Sequence, residues 1–162
     1  TDPIDEWVTQ SLFEYDGKSL KSAEKGDLDL DKVDEEKKDK YEGLFKYIRA
    51  QLEDTIKEVR PSTRLTDSVA CLSGDDHDMS GYMEKILKSS GQEMPENKRM
   101  LELNMSHPVM DKINGMFEAD KDDPKLGDYI HLLLDLAVIG EGGKVEDPSK
   151  FSKTVGDLMA DA

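Results

Sequence analysis

The sequence predicts an α+β chain that ends in half of a helical bundle, and three observations carry that reading. From Tyr129 to Ile139 the side chains are apolar on every side of a helix: Ile130, Leu132, Leu133, Leu134, Leu136, Ala137, Val138 and Ile139. A helix of that kind has to be buried all round. A second, amphipathic helix follows, with Phe151, Val155, Leu158 and Met159 at i, i+4, i+7 and i+8. Earlier in the chain, Val69–Ser73 and Lys98–Asn104 alternate like strands. One small domain has too little interior for the terminal apolar surface, so the last two helices are expected to meet their copies on a second subunit. The expected interface is Tyr129, Ile130, Leu132, Leu133, Leu136, Ala137, Ile139, Phe151, Val155, Leu158 and Met159.

At the start of the chain, Asp2 serves as a cap and Pro3 suits the first helical position. Asp5 and Glu6 lie near the positive end of the helix dipole. Ile4, Trp7, Val8, Leu12 and Tyr15 form one stripe of this helix. Asp16-Gly17 is expected to end it, with a short strand over Ser19–Ala23. Residues 24–40 are rich in charge and poor in core-forming side chains, which marks the expected domain boundary. A long helix is expected next, from Tyr41 through Leu44, Phe45, Ile48, Leu52 and Ile56 to Val59, stopped by Pro61. Arg64 to Ser73 reads as extended. Asp75, Asp76, His77 and Asp78 offer caps for a short helix to about Ser90, closed by Gly91. Lys98 to Asn104 is a second strand, with Leu101 and Leu103 on one face. Ser106 and Pro108 open a helix carrying Val109, Ile113, Met116 and Phe117. Asp123-Pro124 and Asp147-Pro148 repeat the Asp2-Pro3 start and open the two terminal helices, which Gly140, Gly142 and Gly143 separate.

The 162 residues carry a formal net charge of −15, with 36% charged side chains. Nucleic acid demands clustered Lys and Arg, and anionic lipid repels such a chain. Proteins are therefore the expected partners, with no nucleic acid and no membrane. The apolar run at 130–139 is about half of the ~20 residues a membrane-spanning helix needs, and Asp135 interrupts it. Cys71 is the only cysteine, which excludes an intrachain disulfide and fits a reducing, cytoplasmic setting. Thr1, Asp2 and Pro3 lead straight into the first helix without a signal peptide, the start expected of a piece of a longer protein.

The stripe after Asp78 has two readings. Met79, Met83, Ile86 and Leu87 fall at i, i+4, i+7 and i+8, with Tyr82 on the flank. An ordinary stripe of this kind packs on the domain's own sheet. Yet methionine is flexible and recurs on surfaces that take many partners. A Leu-sized side chain left in water forgoes about 1.5–3 kcal/mol, so such a stripe stays exposed only where binding requires it. Trp7, the only tryptophan, is either a half-buried anchor of the first helix or an aromatic contact for a partner. Composition and spacing leave the choice open for the stripe and favour the anchor for Trp7.

The acidic clusters fit metal sites poorly. Asp27, Asp29 and Asp31 match the first ligands of an EF-hand loop, but the sixth position is Lys32 instead of Gly and the twelfth is Lys38 instead of Glu. Helix capping explains Asp75, Asp76, His77 and Asp78 more simply than a metal does. His77, His107 and His131 have no ligand spacing, and His131 reads as an interface histidine. Cys71 reads as a small buried hydrophobe. Asn104-Met105-Ser106 matches a glycosylation acceptor in the wrong compartment. The sequence has neither a Walker-type loop nor a Gly-x-Ser-x-Gly elbow, and no constellation supports catalysis.

Several segments together resemble a known family. They are Ile4-Asp5-Glu6-Trp7 with Glu14-Tyr15-Asp16-Gly17-Lys18, then Arg64-Leu65-Thr66-Asp67-Ser68, then Leu101-Glu102-Leu103-Asn104 with His107-Pro108. Leu132-Leu133-Leu134-Asp135 with Glu146-Asp147-Pro148 completes the series. In these segments, and in their order, the chain resembles the C-terminal part of the heat-shock protein 90 chaperones, most of all their bacterial form. The resemblance implies a small sheet flanked by helices, the last two pairing with those of a second subunit in a four-helix bundle. It implies that residues 1–33 are the end of a middle domain plus a charged linker, and 34–162 a C-terminal dimerisation domain. In the family, the amphipathic helix matching Met79–Leu87 projects into the cleft between subunits, and a tryptophan matching Trp7 joins that surface. The resemblance thus assigns client binding to Trp7, Met79, Tyr82, Met83, Ile86 and Leu87.

The family's ATPase needs an N-terminal nucleotide domain and a middle-domain arginine that this sequence lacks. ATP and magnesium are expected there, and neither a cofactor nor catalysis here. Cytosolic eukaryotic members end in an acidic tail read by co-chaperones, where this chain has Leu158-Met159-Ala160-Asp161-Ala162. Those co-chaperones are not expected, while a bacterial one stays open. The expected function is the dimerisation and client-binding region of an ATP-dependent, stress-induced folding chaperone in the cytoplasm. Its expected partners are its own copy and partly folded clients. A purely structural dimerisation module is the alternative, and a metal-binding hydrolase the more distant one.

Overall fold

The computed structural model describes residues 5, 8, 11–20, 35–75, 78 and 98–160. Asp5, Val8 and Ser11 are helical. The chain then folds back on itself, β1 (Glu14–Tyr15) pairing antiparallel with β2 (Lys18–Ser19). Asp16-Gly17 therefore makes a hairpin turn and does not end a helix. Both residues have positive φ, 50° and 70°, the conformation a two-residue hairpin turn demands and Asp-Gly adopts readily.

The remaining elements are α1 (Glu35–Gln51), β3 (Ile56–Pro61), β4 (Ala70–Ser73), β5 (Arg99–Leu103), α2 (Pro108–Ala119), α3 (Pro124–Gly140) and α4 (Pro148–Ala160). The class is α+β, with small sheets and, among the described residues from Glu35 onward, these four helices. The larger sheet has the order β3-β5-β4, with β5 parallel to β3 and antiparallel to β4. Tyr41, Leu44 and Ile48 of α1, Leu101 and Leu103 of β5, and Ile113, Ile130 and Leu133 of α2 and α3 meet in one core.

The helix expected to run to Val59 stops at Gln51. Ile56 and Val59 belong to β3, and both are buried. Their spacing of three imitates a helical rhythm because the strand register shifts between Ile56 and Glu58. The extra residue returns Val59 to the inner face. Pro61 ends this edge strand, where a missing N–H is tolerated.

Central β5 is buried on both faces. Leu101 and Leu103 point into the core, and Glu102, on the opposite face, is only 1% exposed. Its Oε1 accepts from Arg60 Nη2 at 2.7 Å and Nε at 3.1 Å; its Oε2 accepts from Arg64 Nε at 2.9 Å and Ser62 Oγ at 3.1 Å. Asn104 holds the far end of the same loop, its Nδ2 donating to Thr66 O at 3.0 Å and Ser68 O at 3.1 Å. That use of a buried amide leaves no room for a glycan. Burial pushes the Glu102 carboxyl up, but hydrogen bonds from Arg60 and the charges of Arg64 and Arg60 outweigh it. The carboxyl is held below its usual range. Beside it, burial and then the charge of Glu102 push the Cys71 thiol up to about 11. Cys71 is thus a poor nucleophile near neutral pH.

Glu102→Gln keeps the shape and strands two largely buried guanidinium groups. It is expected to cost about 3 kcal/mol in urea unfolding near neutral pH. The Glu102 carboxyl is depressed by folding, so its contribution is complete above the ordinary carboxylate range and is lost as pH falls from that range through the lower titration of the folded chain. The gap between variant and native chain should close over that interval.

Candidate interaction surface

The terminal helices are fixed at their ends by short-range chemistry. Asp123 Oδ1 accepts from Lys125 N at 2.9 Å, and Asp147 Oδ1 from Ser149 N at 3.0 Å and Lys150 N at 2.9 Å. Pro124 and Pro148 follow as first helical residues, where a missing N–H costs nothing. Asp2-Pro3 lies outside the described residues. At the other end of α3, Gly142 has φ 70° and donates to Ile139 O, and Gly143 donates to Val138 O, both at 2.8 Å. This is a Schellman closure. A Cβ on Gly143 would lie 2.6 Å from Val138 Cγ1 and 2.7 Å from its carbonyl oxygen. Only glycine lets the chain leave α3 this tightly on its way to α4.

Helix α3 presents two apolar faces. Leu126, Tyr129, Ile130, Leu133, Leu134 and Ala137 are buried in the chain's own core. Leu132, Leu136 and Ile139, at i, i+4 and i+7, lie on the other side; Leu132 is half-buried, and Leu136 and Ile139 are 40% and 43% exposed. Helix α4 packs on α3 without fully burying any residue. Its Phe151, Val155 and Leu158 are half-buried, and Met159 is 76% exposed. Of the residues expected at an interface, Tyr129, Ile130, Leu133 and Ala137 are thus taken up by the single chain. Leu132, Leu136, Ile139, Phe151, Val155, Leu158 and Met159 stay at least partly open. Fully burying a large apolar side chain contributes about 1.5–3 kcal/mol, part of which these half-open side chains forgo, and apolar surface of this kind is offered for contact.

Between α3 and α4 lies a cleft of about 280 Å³ lined by Asp128, His131, Leu132, Asp135, Glu146, Asp147, Lys150, Phe151 and Thr154. Burial raises the Asp135 carboxyl above its usual range; His131 and Lys150 oppose the shift, and Glu146 and Asp147 add to it. Composition gave Asp135 no role beyond interrupting the apolar run. Its position at a cleft mouth appears only when α4 folds back.

The other candidate residues have local roles or fall elsewhere. His107 caps α2, its Nδ1 accepting from Val109 N at 3.3 Å. Asp78 Oδ2 accepts from Asp75 N at 2.8 Å, and Lys57 pairs with Asp75. Among the described residues no group of three or more His, Cys, Asp or Glu side chains is placed to hold a metal ion. No described helix is long and apolar enough to cross a membrane. Trp7, Met79, Tyr82, Met83, Ile86 and Leu87 lie outside the described residues, as do Asp27, Asp29, Asp31, Asp76 and His77.

An α+β domain ending in a helical hairpin with an uncovered apolar face offers a surface for protein contact. Comparison with known sequences places that architecture. The sequence model of the Hsp90 protein family matches residues 1–162, and the chain belongs to this family of chaperones. It is similar to the chaperone protein HtpG of Geobacter metallireducens, with 44% identity over an alignment of 169 residues that covers 98% of this chain and 26% of that protein. The HtpG proteins of Geobacter sulfurreducens and Frankia casuarinae are 43% and 42% identical, covering 98% and 100% of this chain and 26% of each relative. The chain thus spans about a quarter of the length of these relatives.

The two faces of α3 should respond differently to truncation. Ile130→Ala, on the core side, is expected to cost about 2–5 kcal/mol. Leu136→Ala, on the open side, should stay within about 0.5 kcal/mol of the native chain. Urea unfolding at low protein concentration measures both.

Proposed function

We propose that this chain is the dimerisation and client-binding region of an ATP-dependent molecular chaperone. The observation that carries the reading is the open apolar face of the α3–α4 hairpin, on a chain whose family is established. Two copies laying these faces together complete a four-helix bundle, in which side-chain ridges of each helix settle into grooves of the other. Leu132, Leu136, Ile139, Phe151, Val155, Leu158 and Met159 would lie in the contact. Tyr129, Ile130, Leu133 and Ala137 support it from beneath.

A joint at this end places two long arms at high effective concentration for each other, so that closure of their far ends becomes an intramolecular step. In this reading nucleotide binding and hydrolysis belong to the part of the longer protein outside this chain, which is itself no enzyme. Clients meet Trp7, Met79, Tyr82, Met83, Ile86 and Leu87 from both subunits, so that attachment is bivalent. The cytoplasm is the compartment, consistent with one free cysteine and an acidic surface.

Leu136→Glu combined with Ile139→Glu is expected to leave the circular dichroism unchanged and to halve the mass found by sedimentation equilibrium. A dimer that survives both charges contradicts the bundle. Met83→Ser with Leu87→Ser should weaken binding of a partly unfolded protein by about tenfold or more, since each apolar side chain that a client covers contributes about 1.5–3 kcal/mol, while leaving the dimer intact. Unchanged client affinity would reduce the chain to a structural joint.

A further inference from the structure

We propose that pairing of two chains through the α3–α4 hairpin is proton-linked, with Asp135 as the group that takes up the proton. The inference rests on the dimer reading above and adds a regulation to it. Asp135 sits among the open apolar residues of α3, three residues after Leu132, next to Leu136 and four before Ile139. It is half-buried at the cleft, and among the described residues no hydrogen bond or ion pair ties its carboxylate to a neighbour.

Burial is what favours its neutral form; His131 and Lys150 oppose that, and Glu146 and Asp147 add to it more weakly. Around it, Asp128 and His131 come from α3, Glu146 and Asp147 from the connection before α4, and Lys150 from α4. Asp147 is already committed to the α4 cap. The carboxyl is thus raised by loss of water, with acidic neighbours on both sides of the cleft and, among the described residues, no cation in contact with it. Covering Leu132, Leu136 and Ile139 with a second copy withdraws more water from Asp135 and brings up another chain of net charge −15. A carboxylate that loses water without gaining a cation holds its proton more tightly.

The sign follows from that direction. The paired state binds the Asp135 proton more strongly than the free chain does. Association therefore strengthens as pH falls from neutrality toward the free chain's carboxyl titration, and levels off once both states are protonated. Acid also relieves general repulsion between two acidic chains, so the test needs a charge-matched control.

Sedimentation equilibrium of the whole chain is compared with Asp135→Asn and with Glu53→Gln, which removes the same charge from an exposed site that does not line the cleft. The native association constant is expected to rise about tenfold or more between about pH 7.5 and about pH 5.5. Glu53→Gln should follow it. Asp135→Asn should associate more tightly than the native chain at the higher pH and lose most of the rise. Should that variant fold poorly, dilution calorimetry of the native chain in two buffers of different ionisation heat reads proton release directly, with about one proton per chain expected. Weaker pairing of Asp135→Asn, an unaltered pH profile, or no proton release overturns the inference while leaving the dimer reading intact. A native chain monomeric at every pH overturns the dimer reading and this one with it.

Discussion

Helix α3 carries apolar side chains on two faces, and the single chain covers only one of them. Leu126, Ile130, Leu133 and Ala137 close the core against α1, α2 and the sheet. Leu136 and Ile139, on the reverse of the same turns, stay partly exposed. A face of this kind is unfavourable in isolation, and its hydrophobic stabilisation becomes available only when another surface covers it. In the proposed dimer, one helix would serve both the core of the domain and the contact between chains. The tight Gly142-Gly143 closure and the Asp147 cap fix how α4 returns beside it.

The sheet beneath depends on a different kind of contact. β5 is the strand shared by a parallel and an antiparallel neighbour, so an error in its placement would displace both. Glu102 fixes β3 and the loop after it through Arg60, Ser62 and Arg64, and Asn104 fixes the end of that loop through Thr66 and Ser68. Two of the segments in which the chain resembles its family, Arg64–Ser68 and Leu101–Asn104, supply most of this network. Their residue types answer a strict physical demand: a buried carboxylate has to be met by donors from several elements at once.

Local signals made much of this fold legible. Asp-Pro pairs marked the starts of α3 and α4, Ser106 with Pro108 that of α2, and glycines the break after α3; the cap of α2 is His107 and not Ser106. Strand β5 was read within a residue of its true bounds. The failures share a cause. Ile56 and Val59 imitate a helix because a register shift in β3 reproduces a spacing of three, and that shift is decided by pairing with β5, more than forty residues away. Asp16-Gly17 carried a hairpin signal that the preceding amphipathic stripe obscured. The burial of Glu102 and the setting of Asp135 depend on partners distant in sequence, so periodicity holds no trace of them. Apolar character alone did not separate the two faces of α3; that division needed the core to be placed first.

Family membership and the open face of α3 meet in one claim, that two of these chains join through their last two helices. The most direct test is the mass of the unaltered chain in solution, by light scattering across a wide concentration range near neutral pH. The account predicts a species of twice 18.2 kDa that dissociates only on dilution. A particle that keeps the single-chain mass at the highest concentrations reached would contradict it.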